Sequence, residues 1–272
     1  MSAGIDADRV TALSLCWRIE RRDGVTVALT DHDQDLVVGE TTYRAAPGMT
    51  PSAIVRAEGV QPDTMEAKGA LDAAAITARD LGAGRWDAAR VVMLAVRRDD
   101  PALPPIALGE GRIGEVEMHD GSFTAELRGA AAALERPVTE ATSPSCRAQL
   151  GDARCRVAMA GRRRFASVVA SAGEVVTLDR GEPGANAYGD GRLRWFGGEN
   201  SGLESAIVAS AGTAVTLRHT PPFAIAAGVL VEVVEGCDKR IATCADRFGN
   251  AANFRGEPYL PGMDLLTRYP GA

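Results

Sequence analysis

Apolar and polar positions alternate with a period of two over much of the chain, in short runs bounded by Gly, Pro and Asp-Gly. This predicts β-strands joined by tight turns. Leu13–Ile19 is an apolar-rich run, and Asp23-Gly24 marks a hairpin turn before Val25, Val27 and Leu29, which share one strand face. Gly39 separates Leu36–Val38 from Thr41–Arg44, and Arg90–Val96 reads as a buried strand. Residues 115–127 form a further hairpin that turns at Asp120-Gly121. Short helices are expected over Ala74–Leu81 and Gly129–Glu135.

The pattern changes after residue 135. In Ser143-Pro144-Ser145-Cys146 a capping Ser precedes a Pro suited to a first helical turn, so a helix is expected to start there. Next comes an internal repeat: residues 168–178, VVASAGEVVTL, return 39 positions later as IVASAGTAVTL at 207–217. Each copy reads strand, Gly turn, strand, and two copies imply a small sheet or barrel rather than a solenoid. Residues 181–191 are Gly-rich and read as a loop, and the tail is rich in Cys, Asn, Gly and Pro. The expected organisation is mainly β. It comprises a barrel-like domain over 1–135, a linker with the first cysteine pair over 136–163, a second barrel-like domain over 164–235 and a metal-binding tail over 236–272.

Composition narrows the function class. At 46% hydrophobic and 24% charged residues the chain is an ordinary globular one, and 5% aromatics with abundant Ala, Val and Gly suit packed β-structure. A net charge of −6 argues against sequence-specific or general nucleic-acid binding. Arg162, Arg163 and Arg164 form a local basic cluster, read as a solvated lead-in to a strand in preference to a phosphate site. No apolar run is long enough for a membrane span or anchor, and the first residues lack a secretory pattern. Synthesis in a bacterial cytoplasm is therefore expected, where thiols stay reduced.

In that setting the five cysteines become informative. Eight residues separate Cys146 from Cys155, six separate Cys237 from Cys244, and 81 lie between the pairs. Two local pairs joined by a folded body are what a four-thiolate site needs, and soft thiolates select zinc or an iron–sulfur cluster. The spacings are not the C-x2-C of zinc ribbons. The competing reading is four unrelated buried thiols. Against it, both pairs sit in polar, turn-rich sequence, whereas Cys16 sits in the apolar run Leu13-Ser-Leu-Cys-Trp and is assigned to a core.

The residues also carry a resemblance. Gly236–Gly262, GCDKRIATCADRFGNAANFRGEPYLPG, resembles the C-terminal signature of the tail hub proteins of phages and gene transfer agents. Leu29–Leu36, LTDHDQDL, and the run DLGAGRWDAA starting at Asp80 are similar to other parts of that family. The order and short spacing of the cysteines also resemble those of the tail-tip protein of lambda-like phages, a family associated with an iron–sulfur cluster, although the insert between the pairs is much longer here. This resemblance implies a [4Fe–4S] cluster on Cys146, Cys155, Cys237 and Cys244, with zinc as the alternative. It also implies tail-tube-like barrels and a homotrimeric ring, assembled in a virion or gene-transfer-agent tail between the distal tail ring and a central tip or fibre protein.

Two further motifs read as decoys. Asp31-His-Asp-Gln-Asp35 alternates carboxylates, but Leu36 and Thr42 stand where a calcium loop needs Gly and Glu, so Asx-turns are expected. Gly109-Glu-Gly-Arg-Ile-Gly114 matches a dinucleotide fingerprint, yet an alternating strand follows where the motif needs a helix. None of the three histidines, His32, His119 and His219, lies in a catalytic motif. A structural hub that is not an enzyme is expected, the alternative being a tail-associated hydrolase or a cluster-dependent oxidoreductase.

Overall fold

The structure, a computed structural model, describes residues 13–46, 75–100, 102–129, 132 and 139–260, with the backbone of 50–51 and 64–70. The chain divides into two compact units, Met1–Val138 and Thr139–Ala272.

The first unit is built on a nine-stranded sheet. Its strands are β1 (Leu13–Glu20), β2 (Thr26–Thr30), β3 (Leu36–Val38), β4 (Thr41–Ala45), β5 (Thr50–Pro51), β6 (Thr64–Ala70), β7 (Arg90–Arg97), β8 (Ile106–His119) and β9 (Ser122–Arg128). The order is β3-β4-β2-β1-β7-β8-β9-β6-β5, with no described pair closing the ends. Neighbours are antiparallel except β2 and β4, which run parallel. Both central strands are buried on two faces. Trp17, Ile19, Val91 and Met93 enter the main core, while Cys16 and Val96 pack on the other face with Leu36 and Tyr43. That is why Leu13–Ile19 reads as an apolar run in place of a clean alternation.

The motifs that carry the resemblance in this unit pin its strands. Asp31 accepts the Leu15 amide at 2.8 Å, and Asp35 accepts that of Ala45, also at 2.8 Å. Both carboxylates are spent on backbone N–H groups 16 and 10 residues away, long-range ties between strands in place of the expected local Asx-turns. The expected helix is α1 (Ala78–Gly82), capped by the Thr77 hydroxyl, while Ala74 lies outside the described residues. Downstream, Trp86 is almost fully buried in the main core, with the Arg21 guanidinium 5.3 Å from its ring. Gly109–Gly114 lies inside β8, so no helix start is available to bind a pyrophosphate. Most of Gly129–Glu135 falls outside the described residues.

The second unit contains a closed barrel of β10 (Arg163–Ala172), β11 (Val175–Leu178), β12 (Arg192–Trp195), β13 (Glu204–Ala211), β14 (Ala214–Leu217) and β15 (Leu230–Val234). The strands follow the ring order β10-β11-β14-β13-β12-β15. The repeated sequence supplies two hairpins, β10–β11 and β13–β14, which join through β11 and β14. In that join Val176 faces Val215, its own counterpart 39 positions on, so the copies are related by a local pseudo-twofold. Even the irregularities repeat, with register shifts at Val168/Ala170 and at Ile207/Ala209. Alternate residues fill the interior: Val168, Val176, Leu178, Leu193, Trp195, Ile207, Val215, Leu217, Val231 and Val233. The one polar group of Trp195 is satisfied, its indole N–H donating to Ser205 Oγ at 3.0 Å.

The loop 181–191 is fastened to the barrel. The Glu182 carboxylate accepts the amides of Ala187 and Gly212 and the Ser210 hydroxyl. Burial pushes this carboxyl up, but those hydrogen bonds outweigh it and hold the group below its ordinary value. Beside the loop, β15 runs out through Glu235 and Gly236. A Cβ on Gly236 would lie 2.0 Å from the Gly189 carbonyl oxygen, so only glycine lets the backbone pass there, immediately before Cys237.

Candidate metal centre

Residues 139–162 and 236–260 pack together beside this exit. Ser143–Cys146 does not start a helix. Its amides go elsewhere: Ser145 N–H to the Ser143 hydroxyl, Cys146 N–H to the Lys239 carbonyl at 2.9 Å, and Arg147 N–H to the Arg255 carbonyl at 2.9 Å. The return bond runs from Glu257 N–H to the Ser143 carbonyl at 2.7 Å. Long-range pairing with the tail has displaced the local helical bonds that Ser-Pro would favour. Arg147 adds two parallel bonds to Glu257, at 2.6 and 2.7 Å. These, with the Ser143 amide, hold the Glu257 carboxyl down at about 2.

Each cysteine is placed by its own local device. Asp152 accepts the amides of Cys155, Gln149 and Arg154, folding 149–155 into a tight turn that buries Cys155. Asp238 accepts the Arg240 amide and the Thr243 hydroxyl, tying the segment before Ile241 to the first turn of the helix α2 (Ile241–Asp246). Cys237 sits just before that helix and Cys244 on its buried side. Gly249, with φ +57°, reverses the chain after α2, so the Asn250 amide reaches the Cys244 carbonyl at 2.9 Å.

The result is convergence. Cys146, Cys155, Cys237 and Cys244 line one narrow pocket, closed by Leu150, Val157, Phe248 and Phe254. Three N–H groups point at the sulfurs. The Arg255 amide lies 3.4 Å from Cys146 Sγ, Asn250 Nδ2 lies 3.7 Å from Cys155 Sγ, and the Lys239 amide donates to Cys237. Burial pushes the Cys244 thiol up, and negative charge on Cys237, Cys146 and Cys155 would push it further. Burial likewise raises Cys237, partly offset by Lys239. Four thiolates so placed repel one another and call for a cation among them, which would hold the coordinating thiols deprotonated. All four are free thiols. The soft donors, the enclosing apolar wall and the N–H groups aimed at sulfur fit an iron–sulfur group. Among the described residues, no group of three or more His, Cys, Asp or Glu side chains is placed to hold a metal ion. Cys16 lies in the first unit, fully buried beside Leu36, Tyr43 and Val96.

Sequence reasoning missed the neighbouring ion cluster. Glu235, nearly buried, accepts from Arg162 at 2.6 Å and Arg247 at 2.8 Å, and both guanidinium groups lie within 5 Å of the Phe248 ring, at 4.9 and 4.8 Å. Arg162, expected as part of a solvated basic cluster, is therefore an internal tie from barrel to tail. Its partners stand 73 and more residues away, beyond any local pattern.

Residues 2–158 match the family described as "Baseplate hub protein, N-terminal attachment domain". The chain belongs to this phage baseplate hub family. Residues 186–264 of the hub match a second family, "Phage conserved hypothetical protein BR0599". The first match contains Cys146 and Cys155, and the second contains Cys237 and Cys244. Among solved structures, the hub is similar to a chain of the "Virion of native gene transfer agent (GTA) particle" at 35% identity. That match covers 96% of this chain and 92% of the other, with a TM-score of 0.83. No curated protein matches the hub.

Proposed function

We propose that this hub is a structural component of a phage-like or gene-transfer-agent tail tip. In that role it forms a homotrimeric ring joining the distal tail ring to the central tip or fibre protein. The near full-length likeness to a chain of a gene transfer agent virion supports the reading. So does an apolar outer patch on the barrel. There Phe165 and Phe196 stack edge-to-face at 5.6 Å, next to exposed Leu230, as on a surface that another subunit covers. The family's role is structural, which supports a non-enzymatic hub over a hydrolase or an oxidoreductase. Density at the tip of assembled particles tests the placement: three copies around the tail axis are expected, and a single off-axis copy would overturn it.

Within that hub, Cys146, Cys155, Cys237 and Cys244 hold one [4Fe–4S] cluster that staples linker to tail. The observation carrying this is the convergence of two cysteine pairs, 81 residues apart, on one pocket. The likeness of the cysteine order and short spacing to an iron–sulfur tail-tip family favours the cluster, with zinc as the alternative. Iron, sulfide and zinc measured together on anaerobically purified protein test the cofactor. Zinc without sulfide would replace the cluster by the alternative.

A further inference from the structure

Of the three N–H groups aimed at the cysteine sulfurs, two belong to the backbone and one to a side chain, Asn250. Asn250 is bonded on every side. Its Nδ2 donates to the Cys155 carbonyl at 2.6 Å and points its other hydrogen at Cys155 Sγ, 3.7 Å away. Its Oδ1 accepts from Asn253 Nδ2 at 2.7 Å, and its backbone N–H is bonded to the Cys244 carbonyl. The amide orientation is fixed by this network, because a flipped Oδ1 would face the Cys155 carbonyl oxygen without a proton between them. One residue thus grips both cysteine pairs and places a donor on one sulfur.

We propose that Asn250 is a positioning residue that sets the reduction potential of the centre through Cys155, with Asn253 locking its amide. The inference rests on the four-cysteine cluster reading. Hydrogen bonds to ligating sulfur stabilise the more negatively charged, reduced state, so their loss lowers the potential. A purely structural asparagine would affect melting and leave the potential of a loaded cluster where it was.

The test uses the full-length chain, reconstituted anaerobically as wild type, Asn250→Ala and Asn253→Ala. Iron and sulfide content, the reduced-state EPR spectrum and the midpoint potential are measured on each. Asn250→Ala is expected to load and to titrate at a clearly more negative potential, with Asn253→Ala shifted in the same direction by less. Should Asn250→Ala fail to load, a negative shift in loaded Asn253→Ala still supports the proposal. Loaded variants with the wild-type potential overturn it, as does an unloaded Asn250→Ala beside an unshifted Asn253→Ala. Wild-type protein that takes up neither iron nor sulfide is a separate result, and it removes the cluster reading itself.

Discussion

The second unit contains two regions held together by different physics. The barrel encloses a cluster of apolar side chains contributed by alternate positions of six strands, two of its hairpins being copies of one repeat. Among the described residues, the segments around the cysteines have one six-residue helix, a single 3-10 turn (Ala251–Asn253) and few large apolar groups. They are laced by long-range backbone bonds, the Arg147–Glu257 and Arg162–Glu235–Arg247 ion pairs, and four thiols on one pocket. A closed sheet can offset its conformational entropy by burial alone, whereas an irregular stretch at about 1–2 kcal/mol of backbone entropy per residue needs cross-links. The two regions should therefore fail under different insults.

The barrel should answer most strongly to loss of volume. Trp195→Ala removes the largest interior side chain and is expected to cost about 3–5 kcal/mol in denaturant unfolding followed by circular dichroism, with or without bound metal. The cysteine region should answer to loss of a ligand. Cys244→Ser is expected to lower hydrogen-exchange protection across 237–260 by about a hundredfold while the barrel strands keep theirs. Equal protection in both regions would show that the thiols are not a staple.

The seam between the regions should respond more weakly. Glu235→Gln leaves two guanidinium groups facing a neutral partner and is expected to cost about 2 kcal/mol, with the melting of barrel and tail uncoupled. The smallest effect belongs to Glu257. Its carboxyl is depressed from 4.5 to about 2, so the stability it contributes is complete above pH 4.5 and lost as pH falls toward 2. Glu257→Gln should flatten that part of the pH profile of the metal-free protein and change little at neutral pH. An unchanged acid slope would mean that the Arg147 pair is not an anchor.

Much of this organisation was legible in the sequence because it is local. Apolar runs and alternation located most strands, though not β5, β6, β12 or β15, the Asp-Gly turns fell where the structure has them, and the 39-residue offset forecast the two hairpins that meet at Val176 and Val215. The cysteines announced themselves by polar surroundings, and the structure brings all four to one pocket. What escaped was non-local. Closure of the barrel depends on β15 pairing with both β10 and β12, and no motif marks either pairing. Ser143-Pro144 carries a sound local helix signal, but the amides that follow are taken by Lys239 and Arg255, about a hundred residues away. The tail reads as irregular, yet the helix Ile241–Asp246 forms in it, with the Asp238 carboxylate holding Arg240 and Thr243 at its start. Residues 261–272 of that tail lie outside the described residues.

The convergence of the four cysteines is tested most directly by counting metal. Wild-type protein purified without oxygen should carry about four irons and four sulfides per chain. Cys16→Ala should carry the same, and Ser at Cys146, Cys155, Cys237 or Cys244 should lose most of the load. Loss of metal from Cys16→Ala, or full retention after any of the four Ser substitutions, would contradict a single centre built on these four thiols.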